Sequence, residues 1–322
     1  MNKPIAIIAG DPNSISSEII FKSWKLKKKI LHKPFFVIGS FDLLNLQKKK
    51  LKYKIKLKKI NTSFKMSELA SKELPIYDVS YIQKKPFDNP SNKSNKYIFE
   101  CFDIALKLLK NKKIIGLINC PITKENLFKK KHQGITEFLS IKTNKKESGV
   151  MLIYNKKISV SPVTTHIPLN QVSKKIKKNK IIQNVKIIHD FYKKILKKKP
   201  SFAILGLNPH NFSASKNSEE KIIISAVKSL VKSNIKVFGP LPADSIFMIS
   251  KKYKFDVIIG MYHDQVLTPF KALYNFDAIN ITLGLPFVRI SPDHGVAENI
   301  AGKGTANPES LIKSIKFFNN IK

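Results

Sequence analysis

Three histidines share one local setting in this chain: His166 in Val163-Thr-Thr-His166-Ile-Pro168, His210 in Gly206-Leu-Asn-Pro-His210, and His263 in Ile259-Gly-Met-Tyr-His263-Asp-Gln265. Each stands directly after an apolar or strand-like run. A lone histidine in such a place is ordinarily a hydrogen-bonded structural residue. Three placed alike point to imidazole ligands of one divalent ion, with the open coordination positions that catalysis uses. Their separations along the chain are long, so spacing alone leaves both readings open. His32, His132 and His189 lie in lysine-rich loops or helices and are expected to be exposed bystanders. Asp264, beside His263, could orient a ligand from behind as a second carboxylate layer.

Arg289 is the only arginine; every other cationic side chain except histidine is a lysine. Whatever biased the composition toward lysine spared this position. A guanidinium offers a planar fork that matches a carboxylate or phosphate bidentately, which an ammonium on a flexible stem cannot reproduce. Lys271 and Asn280 flank a short loop leading to the strand that ends near Arg289, so an anion cradle is expected there. Replacing Arg289 by lysine should cost at least about tenfold in kcat/KM while changing stability little, as for an exposed or cleft charge. Asp244 in Gly239-Pro-Leu-Pro-Ala-Asp244-Ser-Ile-Phe247 has two readings, a helix N-cap or a catalytic acid or base.

These residues need a scaffold. Strand-like runs at Ile5–Ala9, Phe35–Ile38, Ile114–Asn119, Gly149–Tyr154, Phe202–Leu205, Val237–Phe238, Val257–Ile259 and Ala278–Thr282 alternate with helical patterns at Ser17–Lys29, Lys93–Lys110, Lys177–Lys197 and Ser218–Val231. Such alternation predicts an α/β fold with a largely parallel sheet, whose ligands sit beyond the carboxyl ends of strands. The polar residues singled out above fall at those ends. No Gly-x-Gly-x-x-Gly follows any strand, which argues against a Rossmann domain.

Composition narrows the class further. A chain of 322 residues with 43% hydrophobic side chains can bury a large core despite a formal charge of +37. Nucleic-acid binding is a serious alternative at that charge. Against it, the lysines are dispersed over many segments, and arginine, the main reader of base edges, is nearly missing. No specific nucleic-acid partner is expected. Two cysteines, Cys101 and Cys120, are too few for a disulfide framework and suit a reducing cytoplasm. The apolar run after Met1 is too short for a signal peptide, and no run approaches a membrane span.

The segments Leu207-Asn-Pro-His210, Gly239-Pro-Leu-Pro-Ala-Asp244, Met261-Tyr-His-Asp-Gln265 and Asn280-Ile-Thr-Leu-Gly-Leu-Pro-Phe-Val-Arg289, followed by Asp293-His-Gly295, closely resemble the 4-hydroxythreonine-4-phosphate dehydrogenase family of pyridoxal phosphate biosynthesis. The resemblance starts at Gly10-Asp11-Pro12 and is loose over the first 110 residues. The loop from His294 to Pro308 also looks like the adenosine-binding loop of isocitrate and isopropylmalate dehydrogenases. The implied fold is a two-domain α/β/α sandwich of the isocitrate/isopropylmalate dehydrogenase-like type. One domain takes residues 1–120 with 289–322 (cofactor side), and the other takes 121–288 (metal and dimer interface).

The resemblance implies a homodimer with its active site in the interdomain cleft at the dimer interface, one divalent ion (Zn, Mg or Co) on His166, His210 and His263, and NAD or NADP as cofactor. Thr136, Lys271, Asn280 and Arg289 would contact substrate, Asp244 and Lys271 would act in catalysis, and His294, Gly295 and Asn307 would bind the cofactor. The implied reaction oxidises the C3 hydroxyl of 4-phosphooxy-L-threonine, after which loss of CO2 gives 3-amino-2-oxopropyl phosphate.

The chain departs from the family where Gly134-Ile135-Thr136-Glu137 stands in place of Gly-His-Thr-Glu, where Asp11 to Ser17 lacks two glycines, and where Asn211 to Ser215 replaces a Gly- and Glu-containing run. Substrate identity is therefore less determined than fold. A related dehydrogenase of another phosphorylated hydroxy acid, such as a four-carbon sugar-acid phosphate, is one alternative. A basic nucleic-acid binder on an inactive scaffold is the other.

Overall fold

A computed structural model of the chain describes residues 3–27, 33–88, 92–123, 134–143, 149–211, 219–275 and 277–321. Two compact units emerge, Met1–Ile135 with Pro286–Lys322, and Thr136–Leu285. The first contains β1 (Ile5–Ile8), α1 (Ser16–Lys25), β2 (Phe35–Gly39), α2 (Phe41–Lys50), β3 (Leu57–Ile60), β4 (Leu74–Asp78), α3 (Asn92–Lys110) and β5 (Gly116–Asn119). After α4 (Ile135–Lys142) the second unit runs β6 (Val150–Tyr154), β7 (Ser159–Pro162), α5 (Lys178–Phe191), β8 (Phe202–Leu205), α6 (Glu219–Lys232), β9 (Val237–Leu241), α7 (Ile246–Tyr253), β10 (Val257–Gly260), α8 (His263–Tyr274) and β11 (Ile279–Leu283). The chain then returns to the first unit as β12 (Val288–Pro292) and α9 (Glu309–Phe317).

In the first unit the strand order is β3-β4-β2-β1-β5-β12, parallel throughout. Parallel strands are covered on both faces, so they read as continuous apolar runs. Ile5–Ile8 and Phe35–Ile38 are fully buried. In the second unit the order is β11-β6-β7-β10-β8-β9. Here β6 is antiparallel to both neighbours, while β7, β10, β8 and β9 run parallel. Val266, Leu267 and Phe270 of α8 close over Val160, Ala203, Leu205 and Ile258 of those strands.

Several expected boundaries shift for local reasons. The helix expected through Lys29 ends at Lys25, and residues 28–32, His32 among them, lie outside the described residues. The pattern read as one helix to Lys197 is α-helical only to Phe191. A wider turn then carries the chain to Lys197, whose φ of 56° is left-handed and stops it. Strand β7 was not expected, because its serines break the apolar run. Both are buried and satisfied: the Ser159 hydroxyl pairs with the Tyr192 hydroxyl at 2.8 Å, and Ser161 donates to the Met151 carbonyl at 2.6 Å.

Gly116, on β5, is set by close approach. A Cβ there would lie 2.6 Å from the Val288 carbonyl oxygen and 2.5 Å from the Phe318 ring. A backbone oxygen in a paired strand cannot swing aside, so Gly116→Ala should destabilise the protein by about 1–3 kcal/mol through overpacking. Urea denaturation checks this, and an unchanged midpoint would show that β5 and β12 can separate freely.

Candidate functional site

The three histidines follow from the parallel register. Pro162 of β7 lies opposite Gly260 of β10, and Ile259 lies opposite Ile204 of β8, so three neighbouring strands end at one edge and each is followed within a few residues by a histidine. The connecting turns are tied by hydrogen bonds. Thr164 places its backbone N–H and its hydroxyl on the Met261 carbonyl, at 3.1 and 2.7 Å. Gln265 spans the other pair, accepting from Met261 N–H at 2.7 Å and donating to the Gly206 carbonyl at 2.8 Å. The buried carboxylate of Glu220 accepts from the backbone N–H groups of Leu207 and Asn208 and from the Asn208 amide, at 2.8 to 2.9 Å, and so shapes the turn before His210.

His166 and His263 are brought together, with ring centroids 5.7 Å apart. Two imidazoles on one tetrahedral ion, each about 2.0 Å from it, would stand with centroids roughly 5 Å apart. The observed spacing is compatible with a shared ion. His263 Nδ1–H donates to Asp264 Oδ1 at 2.7 Å, which leaves the Nε2 lone pair for a ligand. His210 reaches the same edge, exposed, in a left-handed conformation with φ 51°. Among the described residues, no three His, Cys, Asp or Glu side chains are grouped so that they could hold a metal ion, and of the three expected ligands only His166 and His263 are paired. His189 on α5 pairs loosely with Asp190 and is partly buried, not exposed as expected, and His132 lies outside the described residues.

Near the start of α4, the Thr136 hydroxyl lies 3.2 Å from that of Thr282 on β11. Asn280 is two residues before Thr282 and therefore on the same face of that strand. Its Oδ1 is buried with no hydrogen-bond partner, a state that costs about 1–3 kcal/mol unless a donor arrives. Thr136 and Asn280 are thus set on one face, with Thr282, which sequence reasoning missed, between them. Ile135 is buried as an apolar residue. Lys271 lies exposed on α8, about 12 Å beyond His263 along the axis at 1.5 Å per residue. Asp244 is exposed and is not the N-cap. Helix α7 begins at Ile246, and the Ser245 carbonyl accepts its first backbone bonds from Met248 and Ile249.

In the first unit Arg289 lies on β12 beside β5, only 3% exposed. Its Nε–H donates to Asn119 Oδ1 at 2.7 Å. Burial pushes its pKa down from the usual arginine value to about 9, which leaves it charged at neutral pH. The loop after β12 carries the residues expected to bind a cofactor. His294 Nδ1 is 3.2 Å from the Gly295 carbonyl, and Asn307 Oδ1 accepts from Glu309 N–H at 2.9 Å at the start of α9. A Cβ on Gly295 or Gly304 would meet nothing within 4 Å. Both glycines border open space, which suits a ligand lying close to backbone.

The burial of Arg289 corrects the expectation that its replacement by lysine changes stability little. An ammonium does not reproduce the Nε–H bond, so Asn119 Oδ1 loses its donor in a dry setting. Arg289→Lys should lower stability by about 1–3 kcal/mol in addition to any loss of activity, as read by urea denaturation. An unchanged midpoint would mean that the lysine finds Asn119 equally well.

Comparison with known proteins agrees with this architecture. The profile of the pyridoxal phosphate biosynthetic protein PdxA family matches residues 31–318. A 4-hydroxythreonine-4-phosphate dehydrogenase of Sulfurihydrogenibium sp. (strain YO3AOP1) is 37% identical over 319 residues, covering 97% of this chain and 96% of that one. A protein of Oceanobacillus iheyensis provisionally named D-threonate 4-phosphate dehydrogenase is 32% identical, with 97% and 96% covered. A Salmonella typhimurium structure, provisionally titled 4-hydroxythreonine-4-phosphate dehydrogenase, superposes with a TM-score of 0.83 at 29% identity, covering all of both chains. Isocitrate dehydrogenase from Methylococcus capsulatus shares the fold alone, at a TM-score of 0.52 and 11% identity over 99% of this chain and 86% of that one. With the family profile matching residues 31–318 and a relative 37% identical over 97% of the chain, the chain belongs to the pyridoxal phosphate biosynthetic protein PdxA family.

Proposed function

We propose that this protein oxidises 4-phosphooxy-L-threonine at its C3 hydroxyl, using NAD or NADP and one divalent ion, and that the resulting β-keto acid loses CO2 to give 3-amino-2-oxopropyl phosphate. The observation that carries the reading is the strand edge that turns His166 and His263 toward one another, 5.7 Å apart, in a chain of this family. His166, His210 and His263 would hold the ion. When bound, the ion supplies Lewis acidity at the substrate oxygen and the nicotinamide supplies a hydride acceptor.

The chain's own residues do the rest. Asp264 fixes the tautomer of His263 through Nδ1–H. Asn280 offers its buried Oδ1 to a donor, for which the substrate ammonium is suited, and the Thr136 hydroxyl offers a hydrogen bond to an anionic oxygen. Lys271 and Arg289 supply positive charge for the carboxylate and phosphate, with Arg289 adding the bidentate geometry. Asp244 and Lys271 are the proposed proton carriers, the first taking the hydroxyl proton and the second returning one to carbon after CO2 leaves. His294, Gly295 and Asn307 are the proposed cofactor contacts.

A homodimer belongs to the same reading. It is supported by the exposed apolar side chains Phe238, Met248, Tyr253 and Leu273 of the second unit. No helix among the described residues is long and apolar enough to cross a membrane, and both cysteines are free and buried. A cytoplasmic enzyme fits these facts.

The similarity to the Oceanobacillus iheyensis protein, together with Ile135 in the position of the family histidine, favours one second reading. In it the substrate is a phosphorylated dihydroxy acid of the D-threonate 4-phosphate kind, which carries a hydroxyl where 4-phosphooxy-L-threonine carries an amine. Steady-state assays with both substrates, both cofactors and a series of divalent metals separate the two. We expect turnover of the amino substrate, and preference for the hydroxy acid would decide for the second reading. In the same assay, His263→Ala should lose turnover and, by elemental analysis, its stoichiometric metal. Full activity in a metal-free His263→Ala protein would remove the metal from the proposal.

Gly295→Ala tests the loop. The chain has room for the methyl group, so stability should hold while KM for the dinucleotide rises, by about tenfold if the cofactor backbone lies against residue 295. An unchanged KM would place the cofactor elsewhere.

A further inference from the structure

The first helix carries an acid and a base at positions 18 and 22, a spacing that ordinarily marks a solvated surface pair. Here it does something else. Glu18 is fully buried and Lys22 is about three-quarters buried, their charged ends 2.6 Å apart. Neither group spends its capacity on the other alone. Lys22 Nζ also donates to the Gly304 carbonyl at 3.0 Å and the Ala306 carbonyl at 2.6 Å, which commits all three protons of the ammonium. Glu18 Oε1 accepts a second bond, from Ala306 N–H at 2.7 Å.

Ala306 is thereby held at both its N–H and its C=O by two side chains of one rigid helix. The neighbouring residues Lys303, Gly304 and Thr305 are exposed. Gly302, at the other end of this exposed tongue, packs against the Phe87 ring, and Ile15 N–H, just before α1, donates to the Val296 carbonyl at 3.1 Å. The tongue therefore has both ends fixed and an open middle, as a preformed ligand-binding loop does.

We propose that Glu18 and Lys22 are positioning residues for the nicotinamide dinucleotide, acting through the loop Gly302–Ala306 and touching neither cofactor nor substrate. The proposal rests on the reading of residues 294–307 as the cofactor loop. Without the ammonium, Ala306 loses a donor at its carbonyl, Gly304 loses its tie to α1, and the Glu18 carboxylate is left buried without its counter-charge. The loop then samples many conformations, and the dinucleotide must order it on binding.

The test compares wild type with Lys22→Met, which keeps the packed stem, with Lys22→Arg, which restores charge and donors, and with Glu18→Gln, which keeps shape and an acceptor. Amide hydrogen exchange by mass spectrometry reads the loop, and fluorescence titration with NADH and NADPH reads dinucleotide affinity. In Lys22→Met, exchange in the peptide spanning residues 300–308 should speed by at least about tenfold, with the rest of the first unit unchanged. Its Kd for the preferred dinucleotide should rise by at least about fivefold, and Lys22→Arg should recover most of the loss. KM for the phosphorylated substrate and metal stoichiometry should stay within about twofold, since those groups lie on other elements.

Unchanged exchange in Lys22→Met would overturn the clamp, and faster exchange with unchanged dinucleotide affinity would overturn its role in positioning the cofactor. If Lys22→Met fails to fold, Glu18→Gln carries the same two criteria. A wild-type protein that binds neither dinucleotide would defeat the cofactor reading instead, and the exchange comparison would still decide whether the clamp orders the loop.

Discussion

Parallel pairing imposes one constraint from which the rest of the second unit follows: neighbouring strands that run the same way must end at the same edge. Residues far apart in the chain are delivered to one line, spaced by the strand separation of about 4.8 Å. His166 and His263 need no local motif to meet, because β7 and β10 carry them there, and β8 ends at the same edge ahead of His210. The side chains that keep the line straight are not the proposed ligands. Thr164, Gln265 and Glu220 bind backbone groups at the strand ends, and each fixes the turn from which a histidine projects.

Much of the strand framework was legible in the sequence, and the reason is physical. Strands covered on both faces are apolar without interruption, so β1, β2 and β8 stand out almost residue for residue. Where burial is combined with side-chain hydrogen bonding the signal disappears: Ser159 and Ser161 look like turn residues until their partners Tyr192 and Met151 are in place. Strand β3 has two lysines among its four residues, as sheet-edge strands often do, and gives no apolar run to detect. Asp244 reads as a cap because it follows a strand and precedes a helix, but the helix starts one residue later than that role requires.

Arg289 shows where composition was informative and where it misled. Its uniqueness marked a position that the structure buries, but sequence could not distinguish a cleft wall from a buried ladder. The bond to Asn119 supplies a reason for arginine that is internal to the fold, alongside any reason the substrate supplies. Glu18 and Lys22 were invisible for the opposite reason. Their spacing matches the commonest helix-surface pair, and the partners that give them meaning lie at Gly304 and Ala306, nearly the whole chain away.

The excursion of the chain through the second unit between β5 and β12 has a consequence for the order in which the protein can be built. All six strands of the second unit have been synthesised once residue 283 is made, and they form a contiguous stretch that can close upon itself. The first unit, although begun earlier, is at that moment missing β12, α9 and the backbone atoms that Lys22 holds in the finished fold. Glu18, with no solvent around it in the final structure, cannot be sealed in with its full set of partners until Ala306 arrives. On the ribosome, where segments fold as they emerge, the middle of this protein can reach its native form before its beginning does.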